Sequence, residues 1–75
     1  MTPQQAFIKA VAFFGSKSAL AKELHIRPWA VHKWNENKIP DERCLDIEKL
    51  TKGLVTAEEL RPDLNWAYLR INSNN

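Results

Sequence analysis

Five side chains in the first half of the chain, Arg27, Pro28, Trp29, His32 and Lys33, form a group suited to reading an edge rich in hydrogen-bonding atoms. Arg27 and Lys33 only donate, whereas His32 donates and, when neutral, also accepts. Trp29 and the neighbouring Ala30 add apolar surface. The major groove of DNA offers donors, acceptors and the thymine methyl, and it admits one α-helix. These five residues are therefore candidate base contacts. A second group, Ser16, Lys17, Ser18, Asn35 and Lys38, brackets the first. Its hydroxyls, amide and ammonium groups are of the kinds that hold phosphate oxygens. For Lys38 a backbone contact and a merely solvated charge are equally open, and Ser16 has a capping role whether or not it meets a phosphate. Catalysis has little support: there is no carboxylate pair with apolar flanks, no Ser–His or Cys–His constellation and no Gly-rich phosphate loop, since Gly15 and Gly53 both read as helix stops. His25, His32 and Cys44 lie too far apart for a metal-ligand spacing. The chain is expected to be no enzyme and to need neither metal nor cofactor.

Residues 17 to 36 must position these groups. Leu20, Ala21 and Leu24 fall on one face of a short helix, and Val31 and Trp34 on one face of a second. Ile26 lies between them and plugs the angle, and Ala21 is small where the helices cross. Pro28 suits a first helical turn because its missing N–H would have no partner there. The second helix is expected over 28–36. His25 is the residue expected to take a left-handed backbone, which His adopts more readily than most non-Gly residues. This spacing resembles the helix-turn-helix of DNA-binding proteins, with two departures: His25 stands where Gly is usual, and Arg27 where a Ser, Thr or Asn cap is usual. An ordinary helical hairpin would explain the apolar slots but not the polar and aromatic outer face. For Trp29 the alternative is packing on the first helix or a neighbour.

Seventy-five residues make one domain with one modest core, expected over residues 1–71 with a disordered tail at 72–75. The net charge is only +2, but it is unevenly spread. From Lys9 to Lys38, six bases (Lys9, Lys17, Lys22, Arg27, Lys33, Lys38) stand against two acids (Glu23, Glu36), a balance of +4. From Asp41 to Asp63, seven acids stand against four bases, a balance of −3. A positive face attracts a phosphate backbone, and the acidic half is expected to face away from it. No apolar run is long enough to span a membrane, and no signal peptide is visible. The single Cys44 reads as a reduced residue of a cytoplasmic protein.

Elsewhere the chain supplies helix starts and stops. Thr2, Pro3 and Gln5 read as a capping box opening a helix whose core stripe is Phe7, Val11 and Phe14 and whose end is Gly15. Ser16 caps the next helix. Ile39-Pro40 is extended, and Asp41 is the expected cap of a helix that turns Cys44, Leu45, Ile47, Leu50 and Thr51 inward. Thr56 and Glu59 make a second capping box over about one turn, and Arg61-Pro62-Asp63 reads as a solvated connector. In the tail, 64–71, strand and helix periods fit equally well. Trp66 is expected to pack back on the core. Tyr68, Leu69 and Ile71 are more apolar surface than a small domain needs to expose, which makes them candidate dimer contacts.

Four segments carry a family resemblance: residues 14–21, Ala30-Val31-His32-Lys33-Trp34, Ile39-Pro40 followed by Arg43-Cys44, and residues 55–63. Residues 7–71 as a whole look like the Cro-type phage repressors, in particular the prophage-encoded YdaS-type regulators. The resemblance implies a compact five-helix, lambda-repressor-like domain with a central helix-turn-helix; Cro proteins are known with helical and with β-hairpin C-terminal halves, and the helix starts at Asp41 and Thr56 favour the helical version, an all-α fold. It also implies a double-stranded DNA operator near the gene's own promoter and a part in a lysis or lysogeny choice. Two functions compete. One is a repressor that binds a palindromic operator as a homodimer. The other is an antitoxin-like module that neutralises a partner protein encoded nearby and represses its own operon.

Overall fold

Local chemistry sets most of the helix starts. Gln5 N–H donates to Thr2 Oγ1 at 3.1 Å while Thr2 N–H donates to Gln5 Oε1 at 2.9 Å, and this reciprocal cap opens α1, Pro3–Phe14. The stop is Gly15, at φ 103°, a conformation that L side chains rarely adopt. Ser16 Oγ accepts from Ala19 N–H at 3.0 Å and opens α2, Lys17–Glu23. The remaining helices of this computed structural model, which describes residues 2–73, are α3 (Pro28–Lys33), α4 (Asp41–Leu50), α5 (Ala57–Leu60) and α6 (Trp66–Ser73). The Thr56–Glu59 capping box opens α5 as expected. All regular structure among the described residues is helical, in six helices where five were expected.

The core draws on nearly every element. Phe7 and Ala10 of α1, Leu20 and Ala21 of α2, Val31 of α3, Cys44 and Ile47 of α4 and Leu60 of α5 are all buried, with Ile39, Val55 and Trp66 filling between them. Thr51 is buried without an unmet polar atom, because its hydroxyl donates to the Ile47 carbonyl at 2.8 Å and accepts from Val55 N–H at 3.2 Å. Burial pushes the Cys44 thiol up to about 12, so it stays protonated and is a poor nucleophile.

Four expectations need correction. The helix expected over 28–36 ends at Lys33, because Trp34 is extended at ψ 140°. Asn35 then forms a turn of its own, its side chain accepting from Asn37 N–H at 3.0 Å and its carbonyl from Lys38 N–H at 2.8 Å. The cap of α4 is Pro40, not Asp41: the Pro40 carbonyl accepts from Arg43 and Cys44, and Asp41 is already helical. Arg61 is no solvated connector. Its side chain is 12% exposed; Nη1 donates to the Ile39 carbonyl at 3.0 Å, and Nε and Nη2 grip Asp63 at 2.9 Å. Lastly, the polar end expected at 72–75 is helical through Ser73; Asn74 and Asn75 lie outside the described residues.

The tail is a helix, and its side chains are anchored to the rest of the fold. Trp66 Nε1 donates to the Arg61 carbonyl at 2.7 Å, and Arg70 bridges Glu48 of α4 and Glu58 of α5. Glu48 Oε1 also accepts from Ala57 N–H at 2.9 Å, so one carboxylate ties α4, α5 and α6 together.

Arg61→Ala tests the connector directly. It should cost about 1–3 kcal/mol in denaturant unfolding, since it strips a charged donor from the Ile39 carbonyl. The Asp63 carboxyl is held down at about 2 by hydrogen bonds from Arg61, below its ordinary 3.8. A depressed carboxyl stabilises the fold above its unfolded value and loses that contribution as pH falls through the folded value. Between pH 3.8 and about 2 the wild type should therefore lose stability through this group, and the variant should lack that component.

Candidate nucleic-acid interface

The turn between α2 and α3 is built as the sequence requires. His25 takes φ 59°. Its N–H donates to the Lys22 carbonyl at 3.1 Å, and Ile26 N–H donates to Ala21 at 3.0 Å, folding the chain back on the end of α2. Ile26 is half-buried against the core. Arg27 is extended and makes no side-chain cap, and Pro28 occupies the first turn of α3. Of the six expected apolar slots, Leu20, Ala21, Leu24 and Val31 are buried, and Ile26 and Trp34 pack partly against them. Trp34 meets Phe7 of α1 edge to face, with centroids 6.3 Å apart.

With Val31 turned inward, Arg27, Pro28, Trp29, His32 and Lys33 are all exposed. Trp29 is 58% exposed. The Lys33 ammonium stands 5.0 Å from the centre of its ring. Residues four apart meet on a helix face, so this pairing was available from spacing alone. Among the described residues no ion pair takes up Arg27 or Lys33. By helical period Pro28, Trp29, His32 and Lys33 fall on one side of α3, with Arg27 at its start.

The phosphate candidates come from two segments that the fold brings together. Lys17 Nζ lies 2.9 Å from Glu36 Oε2, setting the start of α2 beside the loop that holds Asn35 and Lys38. Ser16 and Ser18 are exposed on the α2 side, Asn35 and Lys38 on the other. Gln4 Nε2, at the start of α1, donates to Glu36 Oε1 at 3.1 Å. These hydrogen bonds, Lys17 first and Gln4 second, hold the Glu36 carboxyl below its ordinary value. Glu36 and Gln4 escaped sequence reasoning. The only available signal was an acid inside a basic stretch.

The acidic half is largely satisfied internally. Asp46 pairs with Arg43, Asp63 with Arg61, and Glu48 and Glu58 with Arg70. The candidate dimer contacts divide: Tyr68 and Ile71 are 62% and 71% exposed, but Leu69 packs partly against the core. Among the described residues no group of three His, Cys, Asp or Glu side chains could hold a metal ion, and no helix is long and apolar enough to cross a membrane.

Known proteins share this arrangement. The chain is 45% identical over 67 residues to the "Putative transcriptional regulator YdaS" of Escherichia coli (strain K12), an alignment covering 87% of this chain and 68% of that protein. Its fold is similar to that of a solved structure, the "Cro protein from putative prophage element Xfaso 1 in Xylella fastidiosa strain Ann-1". The TM-score is 0.71 and the identity 41%, over 87% of this chain and 97% of that one. The family model described as "Bacterial toxin YdaS" matches residues 7–69, which include the whole helix-turn-helix, and the chain therefore belongs to the YdaS family.

Proposed function

We propose that the protein is a Cro-like transcriptional repressor of phage or prophage origin, acting in the cytoplasm. It binds double-stranded DNA with α3 in the major groove. The observation that carries this reading is the outer face of α3, where donors and an aromatic surface stand exposed and, among the described residues, no ion pair takes up Arg27 or Lys33. Arg27, Pro28, Trp29, His32 and Lys33 meet base edges, while Ser16, Lys17, Ser18, Asn35 and Lys38 meet the backbone on either side. Two protomers, joined through Tyr68, Ile71 and the partly buried Leu69, would set their recognition helices about 34 Å apart on a palindrome. Kinship with a regulator and with a Cro protein supports the same reading.

The test is a binding titration on the DNA upstream of the gene, at two salt concentrations and against random duplex. Tight, competitor-resistant binding with a symmetric footprint is expected. Lys33→Ala should weaken operator binding by about 1–3 kcal/mol and relax specificity, whereas Lys17→Ala should weaken operator binding without changing base preference and flatten its salt dependence. Equal losses on both DNAs for both variants would sink this division of roles.

A second reading rests on the exposed Tyr68 and Ile71 of α6 and on the toxin description of the matched family. In it the C-terminal helix grips a partner protein, as an antitoxin-like module would. Binding that vanishes with salt equally on both DNAs would favour it.

A further inference from the structure

A lysine that served phosphate alone would leave its ammonium in solvent. Lys17 is instead held 2.9 Å from the carboxylate of Glu36, and Gln4 anchors the other oxygen of that carboxylate at 3.1 Å. Glu36 is the one acid between Glu23 and Asp41, so a negative charge stands inside the most basic part of the chain. It belongs to the loop of Asn35 and Lys38 and reaches across to Lys17 on the other segment proposed for phosphate contact. The carboxylate therefore occupies the same donor that a phosphate oxygen would take.

We propose that Glu36 is a specificity-determining residue that stands in for a phosphate: it keeps Lys17 occupied on DNA of the wrong sequence and releases it on the operator. The inference rests on the DNA-binding reading above. On random duplex no base contacts hold the register, so no phosphate is fixed within reach of Lys17, and the intramolecular pair persists. On the operator, base contacts by α3 fix the register and hold one phosphate where the ammonium can transfer to it. A pair whose side chains are 32% and 27% exposed is weak enough to exchange in this way. Gln4 keeps the carboxylate in place, ready to take Lys17 back.

The experiment compares wild type, Glu36→Gln, Lys17→Met and the double variant on operator and random duplex across a salt series. Glu36→Gln should bind random duplex roughly fivefold more tightly, the effect of about one unit-charge contact in water. Its salt slope there should steepen by about one, as one more phosphate is neutralised. Operator affinity should rise less, so the specificity ratio falls. In the Lys17→Met background the gain should disappear. Gln4→Ala, which loosens the carboxylate without removing it, should give a smaller gain in the same direction and serves as the test should Glu36→Gln fail to fold. Unchanged random-duplex affinity and slope in Glu36→Gln, or a gain that survives in Lys17→Met, would overturn the proposal while wild-type binding to the operator stands. Wild type that holds neither duplex would instead overturn the DNA-binding reading.

Discussion

Phe7→Ala is expected to lower stability by about 3–5 kcal/mol, the usual range for truncating a buried aromatic side chain. Phe7 is 1% exposed and sits where α1 meets the helix-turn-helix. A domain of this size has about 5–15 kcal/mol in total, toward the low end for short chains. The substitution therefore removes a large share of it, a fall in Tm of roughly 12–40 °C at the usual conversion for small domains. The loss also reaches the interface, because the Phe7 ring supports Trp34 at the end of α3. Thermal melts followed by circular dichroism check this. Phe7→Leu should restore most of the stability, and a fall of only a few degrees in Phe7→Ala would mean that the cavity collapses without loss.

Trp29→Ala should do the opposite. The side chain is 58% exposed with the Lys33 ammonium over its ring, so unfolding should change by less than about 1 kcal/mol. Operator affinity should nonetheless fall by about 2 kcal/mol, roughly thirtyfold, the loss expected when a Trp at the centre of an interface is truncated. Under the proposed readout two effects would add: loss of an apolar surface offered to a thymine methyl, and a Lys33 no longer held in one direction. Trp29→Phe keeps an aromatic face and should recover part of the loss. Wild-type operator affinity in Trp29→Ala would exclude the ring from the readout.

The parts of the fold legible in the sequence are those decided within about four residues. The two capping boxes, the Ser16 cap, the Gly15 stop and the left-handed His25 all follow from the chemistry of a side chain and its immediate backbone. The apolar slots of the helix-turn-helix follow from helical period. The period misled at the end of α3: Trp34 lies three residues after Val31 and fits the helical face, yet the Asn35 side chain and carbonyl offer the backbone a competing turn. In the tail two periods coexisted, and contacts with Arg61, Glu48 and Glu58 decided for a helix. Groups that meet across long separations were out of reach. Arg61 and Ile39 are 22 residues apart, Lys17 and Glu36 are 19, and Gln4 and Glu36 are 32. Of the candidate site, exposure and neighbourhood followed from the pattern of buried positions; the acid that restrains it did not.

The brevity of α3 has a consequence for how such a protein changes over generations. Its six residues are too few to hold helical form unaided. Its shape is borrowed from Val31 below it, from Pro28 at its start and from the turn before it, while Trp29, His32 and Lys33 contribute little to the fold. The letters proposed to address DNA are thus nearly separate from the letters that keep the chain folded. Under the proposed readout, substitution on the outer face would redirect the protein to a new operator without a detour through unstable intermediates, and related prophages sharing one host would diverge in address while keeping one architecture.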